Sequence, residues 1–127
     1  MLLRVPPCDD NLKVVPTPTT YTGSNGAGWY DFGTNSQVAQ GERVTGVIDI
    51  SAINMVTGDE IYSFVLQESA DNVTYTNIGA IGKSPTAVGI MLIDGVRHQE
   101  FVRILLTVAG TNPSVTYQAW ITIGLPV

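Results

Sequence analysis

The residues of this chain that could carry chemistry are few and scattered. His98 is its only histidine, and it stands between Arg97 and Gln99 at the expected start of a strand, with no serine or cysteine motif beside it. General acid–base work needs a paired partner in a cleft, so the sequence reads His98 as a half-exposed strand-end residue. Asp59-Glu60 and Asp94 adjoin Gly58 and Gly95, where carboxylates are ordinary turn formers. Gly82-Lys83-Ser84 resembles the end of a phosphate-cradling loop, but such a loop needs glycine at position 77 and a helix after the serine. Position 77 is Asn, and Pro85-Thr86-Ala87-Val88 opens a strand instead, which leaves no helix dipole to face a phosphate. Gly23-Ser24-Asn25-Gly26-Ala27-Gly28 lacks both the dinucleotide-binding order and a preceding strand. Asp59, Asp71 and Asn72 match no ion-binding loop. The lone Cys8 can close no intramolecular disulfide, and Asn72-Val73-Thr74 is read as a chance glycosylation match. The sequence therefore assigns no catalytic residue, cofactor, metal site or small-molecule substrate, and the chain is expected not to be an enzyme. Trp29, Tyr30, Phe32 and Trp120 are the remaining candidates. They could stack on sugars, although such rings more often supply core or interface packing.

The elements that must position these residues are strands. From about residue 44 the chain alternates short runs rich in Val, Ile, Thr and Tyr with turn residues, the pattern of half-buried pleated sheet. Strands are predicted over 44–50 and 61–68, the latter with Tyr62, Phe64 and Leu66 on one face. A tight turn at Ser69-Ala70-Asp71-Asn72 leads into a hairpin partner at 73–78. Ala87 to Ile93, nearly all apolar, reads as a strand covered on both faces or buried at an interface, ended by Asp94-Gly95. Phe101 to Val108 and Ser114 to Ile123 read as a closing hairpin turned by Gly110-Thr111-Asn112-Pro113. Val102, Ile104 and Leu106 should share a core with Tyr117, Ala119 and Ile121. Residues 1–20 carry Pro6, Pro7, Pro16 and Pro18 and are expected to form an extended N-terminal arm whose Leu12, Val14 and Val15 lie on this domain's own surface or on a neighbour's. Residues 23–36 are read as a long loop anchored by its aromatics. Turn signals about every 8 to 12 residues without an amphipathic helix predict an all-β antiparallel sandwich or jelly roll over 21–127.

Composition narrows the partners. The chain has 127 residues, a formal charge of -5 and 13% charged residues, against about 25% in ordinary soluble domains. The negative charge repels phosphate backbones and anionic membranes, so neither nucleic acid nor membrane is an expected partner. No apolar run approaches the roughly 20 residues of a membrane-spanning helix. Met1-Leu2-Leu3-Arg4 meets Pro6-Pro7 and Asp9-Asp10 too soon to form a signal-peptide core, so synthesis in the cytoplasm is expected. So neutral a surface suits lasting contact with protein.

From Tyr62 onward the order of elements resembles the cement proteins of tailed phages, in particular the jelly-roll family typified by a Bordetella phage. The residues that carry the likeness are Phe64-Val65-Leu66-Gln67-Glu68-Ser69-Ala70-Asp71-Asn72-Val73-Thr74-Tyr75, then Phe101-Val102-Arg103-Ile104, Gly110 and Tyr117-Gln118-Ala119-Trp120-Ile121. It covers about the second half of the chain, and residues 1–43 depart from it. The resemblance implies a homotrimeric jelly roll made in the host cytoplasm. It would sit on the outer surface of the virion capsid and bridge adjacent major capsid proteins. The expected partner contacts are Leu12, Val14, Val15, Trp29, Tyr30 and Phe32. Arg97 and Arg103, set within otherwise apolar strands, are expected in buried or interfacial ion pairs. The alternative is a carbohydrate- or receptor-binding module of a phage tail or baseplate that uses Trp29, Tyr30 and Trp120.

Overall fold

β-Branched and aromatic residues at every second position leave each strand one apolar face, and two sheets bury those faces against each other. The computed structural model describes residues 13–24, 28–33, 38–78 and 83–123. Its strands are β1 (Lys13–Tyr21), β2 (Trp29–Asp31), β3 (Glu42–Ile53), β4 (Ile61–Ser69), β5 (Thr76–Asn77), β6 (Gly89–Arg97), β7 (Phe101–Ala109) and β8 (Val115–Ile123). One sheet has the order β1-β8-β3-β6 and the other β2-β7-β4-β5, with antiparallel neighbours throughout. Every connection except β4–β5 passes from one sheet to the other, which is the strand order of an eight-stranded jelly roll. The core between the sheets includes Val44, Ile48 and Ile50 of β3, Tyr62, Phe64 and Leu66 of β4, Val102, Ile104 and Leu106 of β7, and Tyr117, Ala119 and Ile121 of β8. The predicted sharing of a core by the last two strands is therefore what the sandwich contains.

Four expectations need correcting. The predicted C-terminal hairpin is an arch: β7 pairs with β4 and β2, whereas β8 pairs with β3 and β1. Alternation along a strand says which residues face inward and is silent about which sheet the strand joins. The segment read as an arm enters the sandwich at Lys13 as edge strand β1, with Val14 and Val15 buried in this chain's own core, so neither is free to contact a partner. Register irregularities between Lys13 and Val15 and between Val15 and Thr19 let two successive valines turn inward and accommodate Pro16 and Pro18, which have no N–H to donate. Leu12 and Cys8 lie outside the described residues. Asp94-Gly95 does not end β6; Asp94 faces Thr45 across the ladder and accepts from its Oγ1 at 3.0 Å, so it is a sheet residue. The strand expected at 73–78 shrinks to Thr76–Asn77 because Asp71 Oδ1 takes the Val73 and Thr74 N–H groups at 2.9 and 3.0 Å and Asn72 adopts φ 60°.

The arch is held by Tyr62. Its hydroxyl donates to Asn54 O at 2.6 Å and accepts from Ser114 N at 2.8 Å. The β3–β4 and β7–β8 crossings are thus tied at one end of the sandwich, and Asn54 Nδ2 adds a bond to Asn112 O at 2.7 Å. Gly110, at φ +116°, lets the second crossing pass against the Asp59 and Glu60 backbone, where a Cβ would meet Glu60 Cα at 2.7 Å. Tyr62→Phe keeps the ring and strands both polar partners, so it should cost about 1 to 2 kcal/mol. Phe64→Ala should cost about 3 to 5 kcal/mol. Urea unfolding at constant slope measures both, and losses under about 0.5 kcal/mol would refute these placements.

Candidate functional site

A polar cluster built on a buried arginine lies where β2, the start of β3 and the β6–β7 turn converge. Arg97 closes β6 opposite Glu42 in the ladder and is only 4% exposed. Its Nε donates to Glu42 Oε1 at 2.6 Å and its Nη1 to Gln99 O at 2.8 Å, while the guanidinium lies 3.8 Å over the Phe32 ring. Phe32 in turn meets Tyr30 edge to face at 4.7 Å. The expected buried ion pair of Arg97 is therefore present, and its geometry is structural: a desolvated cation with its donors aimed at a carboxylate, a carbonyl and a ring face. Glu68 Oε1 closes the same turn by accepting from His98 N at 2.6 Å and Gln99 N at 3.1 Å. The His98 ring remains exposed in that turn.

Arg103 stands on the outer face of the second sheet in a row with Trp29, Gln67 and Asn77. Its Nε donates to Gln67 Oε1 at 2.8 Å, Gln67 Nε2 donates onward to Asn77 Oδ1 at 2.9 Å, and the guanidinium covers Tyr75 at 3.9 Å. Arg103 is thus held by an amide and a ring face on a partly buried part of the sheet.

The aromatic residues do not assemble into a platform. Trp29 is 47% exposed on the outer face of the β2-β7-β4-β5 sheet. Tyr30 and Phe32 pack against the core. Trp120 belongs to the opposite sheet, where it is buried beside Val47 and its Nε1 has no hydrogen-bond partner. A sugar needs coplanar rings with polar groups at their margin, and these rings point to three separate places.

The turn carboxylates are also engaged locally. Asp59 accepts from Thr111 N at 3.2 Å and from the Thr111 hydroxyl, which hold its carboxyl below the usual range. Asp71 is lowered by the Thr74 and Val73 amides and by the Ser69 hydroxyl. These two lie at opposite ends of β4, roughly 30 Å apart at the rise of an extended strand, so they cannot share an ion. No group of three metal-ligating side chains occurs among the described residues. Lys83 forms an isolated bridge with Phe64, N to O at 2.9 Å in both directions, and no helix follows it. No helix of the described residues is long and apolar enough to cross a membrane.

Two features escaped the sequence reading. Glu100 is held above the usual carboxylate range by its hydrogen bond to Asp31, with desolvation and the Asp31 charge adding to the effect. They stand far apart in sequence and meet only because β2 pairs with the start of β7. Glu60 is buried with Oε1 accepting from Gly58 N at 3.1 Å and Oε2 unpartnered. No protein-family model matches the chain, and no curated protein matches it at a significant level.

Two measurements follow from this geometry. Glu42→Ala leaves the Arg97 charge buried beside a lost partner and should cost about 3 kcal/mol, read by urea unfolding, with Glu42→Gln recovering part of the loss. Glu100 has a raised folded pKa, so its stabilising contribution is complete below the ordinary carboxylate range and is lost as pH rises through the folded value. Glu100→Gln, neutral at every pH, should raise the thermal midpoint at pH 7. That gain should vanish in acid; equal midpoints at pH 7 would contradict the Asp31–Glu100 contact.

Proposed function

We propose that this chain is a structural, protein-binding subunit, a capsid cement protein that sits as a homotrimer on the outer surface of a tailed-phage head and bridges adjacent major capsid proteins. The observation that carries the reading is the mismatch between buried charge and bare apolar surface. Arg97 is turned inward onto its own partners, whereas Trp29, Ile61, Val88, Ile90, Val96 and Ile123 are exposed on a chain with only 13% charged residues. Exposed apolar area of this kind is stabilised when a protein partner covers it. The jelly-roll strand order and the likeness of the strands from Tyr62 onward add to the same reading. A cement works by adding buried area across seams, so that parting the shell must also expose that area. Contacts of modest strength then sum through avidity.

Light scattering on the chain alone, and again after mixing with heads stripped of their decoration, tests this. The expected result is a trimer that sediments with the heads. A monomer that ignores them would refute it.

A further inference from the structure

A sandwich of two open sheets has four edges, and here they are treated unequally. β1 carries Pro16 and Pro18 and a broken register, β2 has three residues, and β5 has two. Each is a familiar way to stop a sheet from growing. β6 is different: it keeps unbroken register with β3 from Glu42↔Arg97 to Ile50↔Gly89 and, among the described residues, has no strand on its other side. Toward its second half the inner face of β6 is filled, since a Cβ on Gly95 would meet Ile78 Cγ1 at 2.9 Å and Ile78 O at 3.0 Å. Its first half is open. Nothing lies within 4 Å of a Cβ built on Gly89, and Val88 and Ile90 are 60% and 63% exposed. Of the run 87–93, expected to be covered on both faces or buried at an interface, Ile93 lies in the core and Met91 packs against it, whereas Val88 and Ile90 stay exposed.

Beside the open half lies a groove of about 530 Å³, between β6 and the segment that crosses from the edge of the other sheet at Lys83. Ile50, Pro85, Val88, Ile90 and Met91 give it apolar walls, and Lys83 is its one ionisable side chain among the described residues.

We propose that the β6 edge at Val88–Leu92 receives an extended apolar segment of a partner protein as an added strand, with a carboxylate of that segment set against Lys83. Three features point to this occupant. The outward backbone groups of a free edge are matched by another strand. Alternate side chains of such a strand would drop into the groove, and five residues span about 17 Å. Lys83 is the one ionisable side chain lining the groove among the described residues, so a carboxylate set against it is favoured locally over a cation. The inference rests on the reading of the chain as a protein-binding subunit, and adds where the partner lies and in what conformation.

The probe is a synthetic peptide of alternating valine and threonine with one central glutamate. Two controls accompany it, one with lysine in place of glutamate and one with alternate backbone nitrogens methylated. Amide hydrogen exchange on the whole chain should show the glutamate peptide slowing residues 88–92. The lysine peptide should bind about tenfold more weakly, a difference of about 1.4 kcal/mol, and Lys83→Glu should reverse the order. Ile90→Lys, at an exposed position, should abolish binding without lowering the thermal midpoint. Protection elsewhere, no protection at millimolar peptide, or equal binding of the methylated peptide would overturn the proposal. Heads separate the two ideas: a chain that decorates heads while its β6 ignores the peptides loses only the strand-addition proposal. A chain whose β6 takes the peptide but which ignores heads loses only the cement reading.

Discussion

Phe64 of β4 and Tyr117 of β8 meet edge to face with ring centroids 5.0 Å apart, between two sheets that share no ladder. Within each sheet the backbone bonds are self-sufficient, but nothing in those bonds fixes one sheet upon the other. That task falls to the apolar layer, in which Phe64, Tyr117 and their neighbours are removed from water. Tyr21 extends the stack onto Tyr117 at 5.2 Å from the edge strand β1. Burial pushes the Tyr117 hydroxyl well above the usual tyrosine range, the mark of a ring held in a dry layer. The crossings then need only modest fastening, which Tyr62 supplies where two of them pass side by side.

This arrangement separates structural polarity from the surface offered to others. Arg97, Glu42, Gln99 and Glu68 close one corner from within, and Asp71 and Asp59 brace turns. Arg43 with Asp94, an exposed ion pair with both members well solvated, is worth under about 1 kcal/mol. The exposed apolar residues take no part in these networks. The proposed decoration role would give reason for such a division: the subunit's own stability must not depend on the partner, while its outer surface must gain by being covered. The protected edges β1, β2 and β5 limit indiscriminate sheet growth and concentrate pairing capacity on β6.

The all-β class, the inward faces of β4, β7 and β8, and the buried state of Arg97 were legible in the sequence because each follows from a local rule. Period-two alternation identifies an inward face, and an arginine amid apolar neighbours must find partners. The same rules misread Asp94, because a carboxylate before glycine serves a turn or a ladder equally well. They left open whether Val14 and Val15 lie on this domain or on a neighbour, because proline marks a segment as unfit for a sheet interior and does not forbid an edge. The three rings at residues 29, 30 and 120 are not brought together for a different reason: they are alike in chemistry, yet alternation and sheet membership send them apart.

By itself, then, the sequence determined that this chain pairs strands, which side chains avoid water, and that its formal charge is -5. All three depend on residue type and on spacing within a single strand. Tertiary structure decided that β7 and β8 part company across an arch, that Asp31 finds Glu100, and that the edge of β6 lies open beside a groove with Lys83 at its margin. Those outcomes depend on which strands become neighbours. Neighbour choice is settled by burying all the apolar faces at once, a condition on the whole chain that no single segment carries.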